Sequence, residues 1–271
     1  MSAAPPLAAW RAKRAAGGIA ELVARKGEQS VAVCIPARDE GATIGGIVRT
    51  INERLVAAGL VDELVVVDDG SDDDTGIRAV AGGARVIRCA EPAGKGGALR
   101  CAVAETTADI VVFVDGDVIN FPPWFVVGLV APLVEDPSVM MVKAGYERPL
   151  HGQRGEGGRV TEILARPLLE RFYPDLADIA QPLAGEFAVR RAVLDEVSLA
   201  DGYAVDIALL IDVWARFGRH AIAEVDLGER THRNRPLHQL RPHSRAVLDA
   251  VLDRAAGTPP MAAGLRSRPV R

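Results

Sequence analysis

Between residues 31 and 115 four short apolar runs recur, VAVCIP (31–36), ELVVVDD (63–69), ARVIRC (84–89) and IVVFVD (110–115), and none of them alternates apolar with polar side chains. A strand that offers neither face to water must be covered on both, which is the situation of a parallel sheet with helices on each side. The intervening segments meet that demand. TIGGIVRTINERLVAAG carries helical periodicity, SDDDT offers N-cap chemistry for a second helix, and ALRCAVAETT, after a PAGKGG loop, is a third. The alternation predicts an α/β fold built on a Rossmann-like, mostly parallel sheet.

From residue 136 the pattern becomes mixed. VMMVKAGYER reads as a strand, HGQRGEGG as a flexible loop, and RVTEILARPLLERF as a helix with Ile163, Leu164, Pro167, Leu168 and Phe172 on one face. DIALLIDVWARFG is a second helix in which Leu209, Leu210, Val213, Trp214 and Phe217 make a core stripe. AIAEVDLGE is a strand and SRAVLDAVLDRAA a last helix. The length suits one large domain, with a leader over 1–30 and a tail over 257–271 whose Gly, Pro and Arg content predicts disorder.

The net charge of −4 and pI near 5.8 provide no broad basic field, so nucleic acid is not expected as a partner. Any anion must be held by local groups. The longest apolar stretch, 110–134, is interrupted by Asp115, Asp117, Asn120 and Pro122–Pro123 and cannot span a bilayer as one helix. PPWFVVGLVAPLV within it is expected to be a buried helix, without stable membrane insertion. Cys34, Cys89 and Cys101 are odd in number and form no C-x-x-C pair, so no disulfide framework or zinc site is expected, and a reducing cytoplasm is the simplest home.

In open parallel sheets, ligands bind at the carboxyl ends of strands. Here acids stand at three such ends: Asp39 and Glu40, Asp68 and Asp69, Asp115 and Asp117. Gathered together they repel one another unless a cation or hydrogen-bond donors satisfy them, and a divalent metal carrying a diphosphate, with ribose and base, does so. Each pair alone could instead cap the following helix, a role open to Asp72–Asp74 in particular. Gly116 between Asp115 and Asp117 allows a ligand to approach the backbone. Lys95 lies in PAGKGG, which lacks the spacing of a P-loop and is read as a point charge near a diphosphate or sugar.

PARDE, DDGSDDDT, GKGGAL and VDGD, taken in order, resemble the nucleotide-binding half of GT-A glycosyltransferases. GGRVTEILARPLL, QPLAGEFAVRR, GYAVDIALLID and LGERTHRNRPL are similar to glucosyl-3-phosphoglycerate synthases and their mannosyl relatives, over residues 31–252. The resemblance implies a GT-A fold with a nucleotide-sugar-binding half (31–135) and an acceptor-binding half (136–256). It implies a donor site of Pro36, Arg38, Glu40, Asp69, Lys95, Asp115 and Gly116, and Mg²⁺ or Mn²⁺ on Asp117 and His232. The acceptor would meet Gly158, Arg159, Thr161, Asn234 and Arg230, with Asp206, Asp117 and Lys95 serving the chemistry. From its residues alone His232 is a loop histidine; His151, His220, His238 and His243 read as surface.

The activity implied is transfer of glucose from UDP-glucose to the 2-hydroxyl of 3-phosphoglycerate with retention, by a cytoplasmic homodimer. Three departures from the family pattern stand near the substrates: Asp206 where glutamate is usual, Arg38 where an aliphatic is common, and Asp69 where serine is common. They leave open GDP-mannose or another nucleotide sugar with a different small acceptor. A sugar nucleotidyltransferase and a catalytically silent nucleotide-binding protein are the readings from other classes.

Overall fold

A computed structural model of the chain describes residues 18–89, 94–148, 158–231 and 237–257. Helix α1 (Gly18–Lys26) precedes β1 (Val31–Ala37), α2 (Ile44–Ile51), β2 (Glu63–Asp68), α3 (Thr75–Gly82), β3 (Arg85–Arg88), α4 (Gly94–Ala104) and β4 (Ile110–Phe113). Then follow α5 (Trp124–Glu135), β5 (Met141–Glu147), α6 (Arg166–Phe172), β6 (Phe187–Arg190), α7 (Arg191–Glu196), α8 (Val205–Phe217), β7 (Ile222–Glu229) and α9 (Leu237–Ala256). The strands form one sheet in the order β3-β2-β1-β4-β6-β5-β7, parallel except for β6.

Each central strand feeds two cores. Val31, Val33 and Ile35 of β1 pack on one side with Val66, Ile110 and Val112, while Ala32 and Cys34 pack on the other with Val65, Val67, Val111 and Phe113. That two-sided burial is why these runs contain no polar alternation. Burial pushes the Cys34 thiol up to about 12, which leaves it an inert core side chain. Helix α5 is buried as expected, with Phe125, Val126, Leu129, Val130 and Leu133 at 1% exposure or less. Among the described residues no helix is long and apolar enough to cross a membrane.

Four expectations need correction. The PAGKGG segment is not wholly loop, because α4 begins at Gly94 and includes Lys95. Packing decides this: a Cβ on Gly96 would stand 1.9 Å from the carbonyl oxygen of Ala200, so the glycine permits backbone-to-backbone approach. FAVR, not recognised as a strand, is β6. In the helix that includes α6, Ile163, Pro167 and Phe172 are exposed, while Thr161, Ala165 and Leu169 are the buried positions. A π-turn over Thr161–Ala165 adds a residue to the repeat and rotates the apolar stripe. Cys89 and Cys101, unpaired in the sequence reading, are disulfide-bonded, with Cα atoms 6.5 Å apart between the end of β3 and α4. The α8 stripe matches expectation: Leu209, Leu210 and Val213 are buried, and Trp214 meets Tyr173 edge to face at 5.6 Å.

Because β6 runs backwards, its first residue pairs with the last of β4, Phe187 with Phe113. Gly185 and Glu186 therefore enter the sheet at the end where Asp115 leaves it. The parallel β5–β7 pair ends there too, with the Arg230 N–H donating to the Glu147 carbonyl at 3.0 Å. Gly96→Ala should lower stability by about 3 kcal/mol or more, since backbone on both sides resists the new methyl. A chemical denaturation midpoint unchanged from wild type would refute the close-approach account.

Candidate active site

The convergence of strand ends encloses a cavity of about 410 Å³. Its lining includes every donor-side residue expected from the sequence, namely Pro36, Arg38, Glu40, Asp69, Lys95, Asp115 and Gly116, together with Asp117 and Asp206. It also includes Gly158, Arg159, Thr161 and Arg230 from the acceptor half. His232 and Asn234 lie outside the described residues.

The acidic pairs divide between scaffold and site. Asp39, the one described non-glycine residue with positive φ (+56°), accepts the Asp72 N–H at 2.9 Å, and its own N–H donates to Ser71 Oγ at 3.0 Å. Aspartate tolerates this left-handed backbone, and the two bonds fasten the loop after β1 to the loop after β2. Asp68 accepts the Ser71 N–H at 2.8 Å; Asp73 accepts the N–H groups of Thr75 (2.9 Å) and Gly41 (3.0 Å). These three acids hold loops. Asp69 faces the cavity and accepts the Gly94 N–H at 3.0 Å, so it sits against the first turn of the helix that presents Lys95.

The centre is a dense charge cluster. Lys95 Nζ lies 2.9 Å from Asp206 Oδ2 and 3.1 Å from Asp115 Oδ1. Arg230, 2% exposed, reaches three acids: Asp115 at 2.9 Å, Asp117 at 2.8 Å and the fully buried Glu186 at 2.7 Å. Burial by itself would raise the Asp115 carboxyl, but Lys95 and Arg230 hold it well below the usual range. Burial likewise opposes the Lys95 ammonium, and Asp115 and Asp206 more than offset it, so Lys95 stays charged. Asp206 goes the other way: its desolvation exceeds the help from Lys95 and Lys143, and its affinity for a proton rises. One of its oxygens, Oδ1, is buried without a donor among the described residues.

Glycine again sets the spacing. A Cβ on Gly185 would fall 2.3 Å from Asp115 Oδ1 and 2.4 Å from Lys95 Nζ, so nothing larger fits beneath the cluster. Gly116 lines the cavity, and a Cβ there would stand in ordinary contact with Ala37, Pro36 and Glu40 at 3.4 to 3.5 Å. Its carbonyl accepts a 2.6 Å bond from Thr43 Oγ1, which fixes the Asp115–Asp117 turn over α2.

On the acceptor side Gly158 takes φ +71° just before a helical turn, and the Glu162 N–H returns to its carbonyl at 3.0 Å. The backbone N–H groups at the start of that helix, with Arg159 and the Thr161 hydroxyl, suit a phosphate or carboxylate. Leu240, His243 and Val247 on one face of α9 close this wall. His243, expected at the surface, instead stacks on Tyr203 with centroids 3.6 Å apart and lines the cavity. His220 and His238 are exposed, as expected.

Sequence reasoning also missed Glu186, Tyr146, Arg148 and Lys143. Lys143 is fully buried beneath the cluster, donates to the Ala184 carbonyl at 2.6 Å, and has its affinity for a proton reduced by burial to a pKa of about 8. The G-E pair in QPLAGEFAVRR was the available signal for Glu186, but only an antiparallel strand puts its start at the acidic end. Among the described residues no three His, Cys, Asp or Glu side chains form a metal cluster. Asp115 and Asp117 supply hard oxygen donors of the kind Mg²⁺ and Mn²⁺ accept.

A family profile described as glycosyl transferase family 2 matches residues 32–197. Glucosyl-3-phosphoglycerate synthase of Mycolicibacterium paratuberculosis is 48% identical over 91% of this chain and 78% of its own length. The Petrotoga mobilis protein of the same name is 41% identical over 87% and 77%. The chain belongs to the glucosyl-3-phosphoglycerate synthase family within glycosyl transferase family 2. The Mycobacterium tuberculosis synthase, solved with Mn²⁺, UDP-glucose and phosphoglyceric acid, superimposes with a TM-score of 0.81 at 45% identity, over 91% of this chain and 86% of that one. A second structure of that synthase, with Mg²⁺ and UDP, gives 0.82 over 92% and 87%. The seven-stranded sheet is thus the GT-A sheet of these glycosyltransferases.

Behind the cavity, Glu224 of β7 accepts the Ala180 N–H at 2.8 Å through one oxygen, while the other is buried without a donor. Burial pushes this carboxyl up to about 7 from 4.5, despite the Ala180 bond. Between those values the folded chain keeps a proton on Glu224 that the unfolded chain has released, so the contribution of Glu224 to stability is fully present below pH 4.5 and is lost as pH rises through about 7. Roughly 3 kcal/mol is at stake. Glu224→Gln should flatten this slope, measured as urea midpoints at pH 5 and pH 8; a slope equal to that of wild type would count against the buried-acid account.

Proposed function

We propose that the chain transfers glucose from UDP-glucose to the 2-hydroxyl of 3-phosphoglycerate, with retention at the anomeric carbon and with Mg²⁺ or Mn²⁺ as cofactor. The observation that carries this is the single cavity in which the nucleotide-end residues and Gly158–Thr161 face each other across Lys95, Asp115 and Asp206. Donor and acceptor ends are then on opposite sides of the reacting carbon. Relatives at 45% to 48% identity named for this reaction, and structures holding its donor, acceptor and product, support the same choice over GDP-mannose or nucleotidyl transfer.

Pro36, Arg38, Glu40 and Asp69 frame the base and ribose, and Asp115 faces ribose and sugar. Asp117 is the protein's metal ligand, with His232 as the second from outside the described residues. When bound, the cation neutralises charge developing on the leaving diphosphate. Lys95, kept charged by Asp115 and Asp206, adds a fixed positive point on the donor. Arg159, Thr161 and the neighbouring amides orient the acceptor, and Asn234 completes that wall.

No side chain stands as a covalent nucleophile in this scheme. The bond from the anomeric carbon to the diphosphate oxygen breaks while the acceptor oxygen bonds on the same face, and the hydroxyl proton passes to the departing phosphate. Asp206, which lines the cavity beside Lys95, orients donor or acceptor. Positioning of this kind contributes a large share of the rate. Aspartate in place of the family glutamate withdraws the carboxylate by about 1.5 Å, one carbon–carbon bond, and the Lys95 contact at 2.9 Å defines where it stops.

A cytoplasmic homodimer completes the proposal. Its substrates are metabolites of that compartment, and Ile163, Phe172 and Leu252 expose apolar side chains on helices of the acceptor half. A donor panel against 3-phosphoglycerate, scored by released nucleotide, should place UDP-glucose well ahead of GDP-mannose. The reverse order, or pyrophosphate release from a sugar phosphate and a nucleoside triphosphate, overturns the assignment. Asp117→Ala should reduce metal-dependent turnover at least 100-fold, on the order seen when a transition-state electrostatic contact is lost; full activity in that variant sinks the metal-site assignment.

A further inference from the structure

We propose that Arg148 is a second anion-binding arginine of the acceptor site, taking the carboxylate of 3-phosphoglycerate while Arg159 and Thr161 take its phosphate. This rests on the glucosyl transfer proposed above and adds a residue to it. The acceptor bears a phosphate and a carboxylate at opposite ends of three carbons, so two separate sets of charged donors must meet it. Among the described residues four arginines line the cavity: Arg38, Arg148, Arg159 and Arg230. Arg38 follows β1 at the nucleotide end. Arg230 is occupied by Asp115, Asp117 and Glu186 and is nearly inaccessible. It cannot take the acceptor role expected from the sequence without releasing those acids. Arg148 and Arg159 line the acceptor side of the cavity.

Arg148 follows β5 and lies beside Arg230 through the Arg230 N–H to Glu147 carbonyl bond. Its guanidinium lies over the Tyr146 ring at 4.9 Å and donates to Tyr146 Oη, which in turn donates to Glu186 at 2.7 Å. That chain fixes the plane of the fork before any ligand arrives, which lowers the ordering cost of binding. Arg148 lines the same cavity as Asp115.

Scaffold arginines in this protein look different. Arg190 donates to the carbonyls of Val139, Leu133 and Asp136, and Arg191 to those of Ala108, Val103 and Thr106. Arg148 has five N–H groups, yet among the described residues only Tyr146 accepts from it. A guanidinium under-used by the protein and lining a substrate cavity fits a carboxylate ligand.

Calorimetric titration of 3-phosphoglycerate and of glycerol 3-phosphate, which lacks the carboxylate, tests this on wild type, Arg148→Gln and Arg148→Lys with UDP and Mn²⁺ present. Wild type should bind 3-phosphoglycerate about tenfold or more tightly than glycerol 3-phosphate. Arg148→Gln should remove that preference while leaving glycerol 3-phosphate within about twofold, and Arg148→Lys should restore part of it. Equal binding of the two ligands by wild type, or equal weakening of both by a variant, overturns the role of Arg148. Failure of wild type to bind either ligand overturns the transfer proposal instead. If thermal melting shows that Arg148→Gln does not fold, the wild-type preference and the Arg148→Lys variant decide, the latter by a selective loss for 3-phosphoglycerate.

Discussion

Three carboxylates, Asp115 and Asp117 from the turn after β4 and Glu186 from just before β6, share the guanidinium of Arg230 at 2.7 to 2.9 Å. Brought together without a cation, they would repel one another in a place where water cannot screen them. A planar, permanently charged fork can meet several oxygens at once, which a lysine ammonium does less well. Removing one partner from a buried ionic group commonly costs about 3–5 kcal/mol, so this arginine holds the floor of the site as much as it holds a charge. Lys95 repeats the arrangement one step along, bridging Asp115 to Asp206.

The cluster depends on chain direction. Strand β6 is reversed against its neighbours, and only that reversal delivers Glu186 and Gly185 to the end of the sheet where the parallel strands release Asp69, Asp115, Arg148 and Arg230. Two glycines then allow the parts to close. Gly96 lets α4 press against the backbone at Ala200, and Gly185 leaves the volume occupied by Asp115 and Lys95. The left-handed Asp39 ties the two nucleotide-side loops to each other, so the donor end is held by backbone bonds independent of the ionic centre.

Much of this was legible in the residues. Unbroken apolar runs marked β1, β2 and β4, because burial on both faces leaves no other pattern, and acids after those runs marked the site end. What escaped notice has physical reasons. FAVR is four residues long and has no period to detect, so nothing placed the G-E pair before it at the acidic end of the sheet. The π-turn at Thr161–Ala165 moved the buried stripe away from the spacing that a regular helix predicts. His243 gained its partner Tyr203 from a segment forty residues earlier, and Cys89 met Cys101 only because α4 folds back onto the sheet against β1 and β2.

By itself the sequence determined the layered α/β architecture, the acidic end of the sheet, and most of the side chains that face the cavity, since each of these follows from local pattern and from position after a strand. The tertiary structure alone decided how the charges are divided. Asp68, Asp73 and Asp39 hold loops while Asp69, Asp115 and Asp117 face the cavity, and Arg230 is held by acids whereas Arg148 is left with donors to offer. Pairing of ions depends on distances between residues far apart in the chain, and a sequence contains those distances only after it has folded.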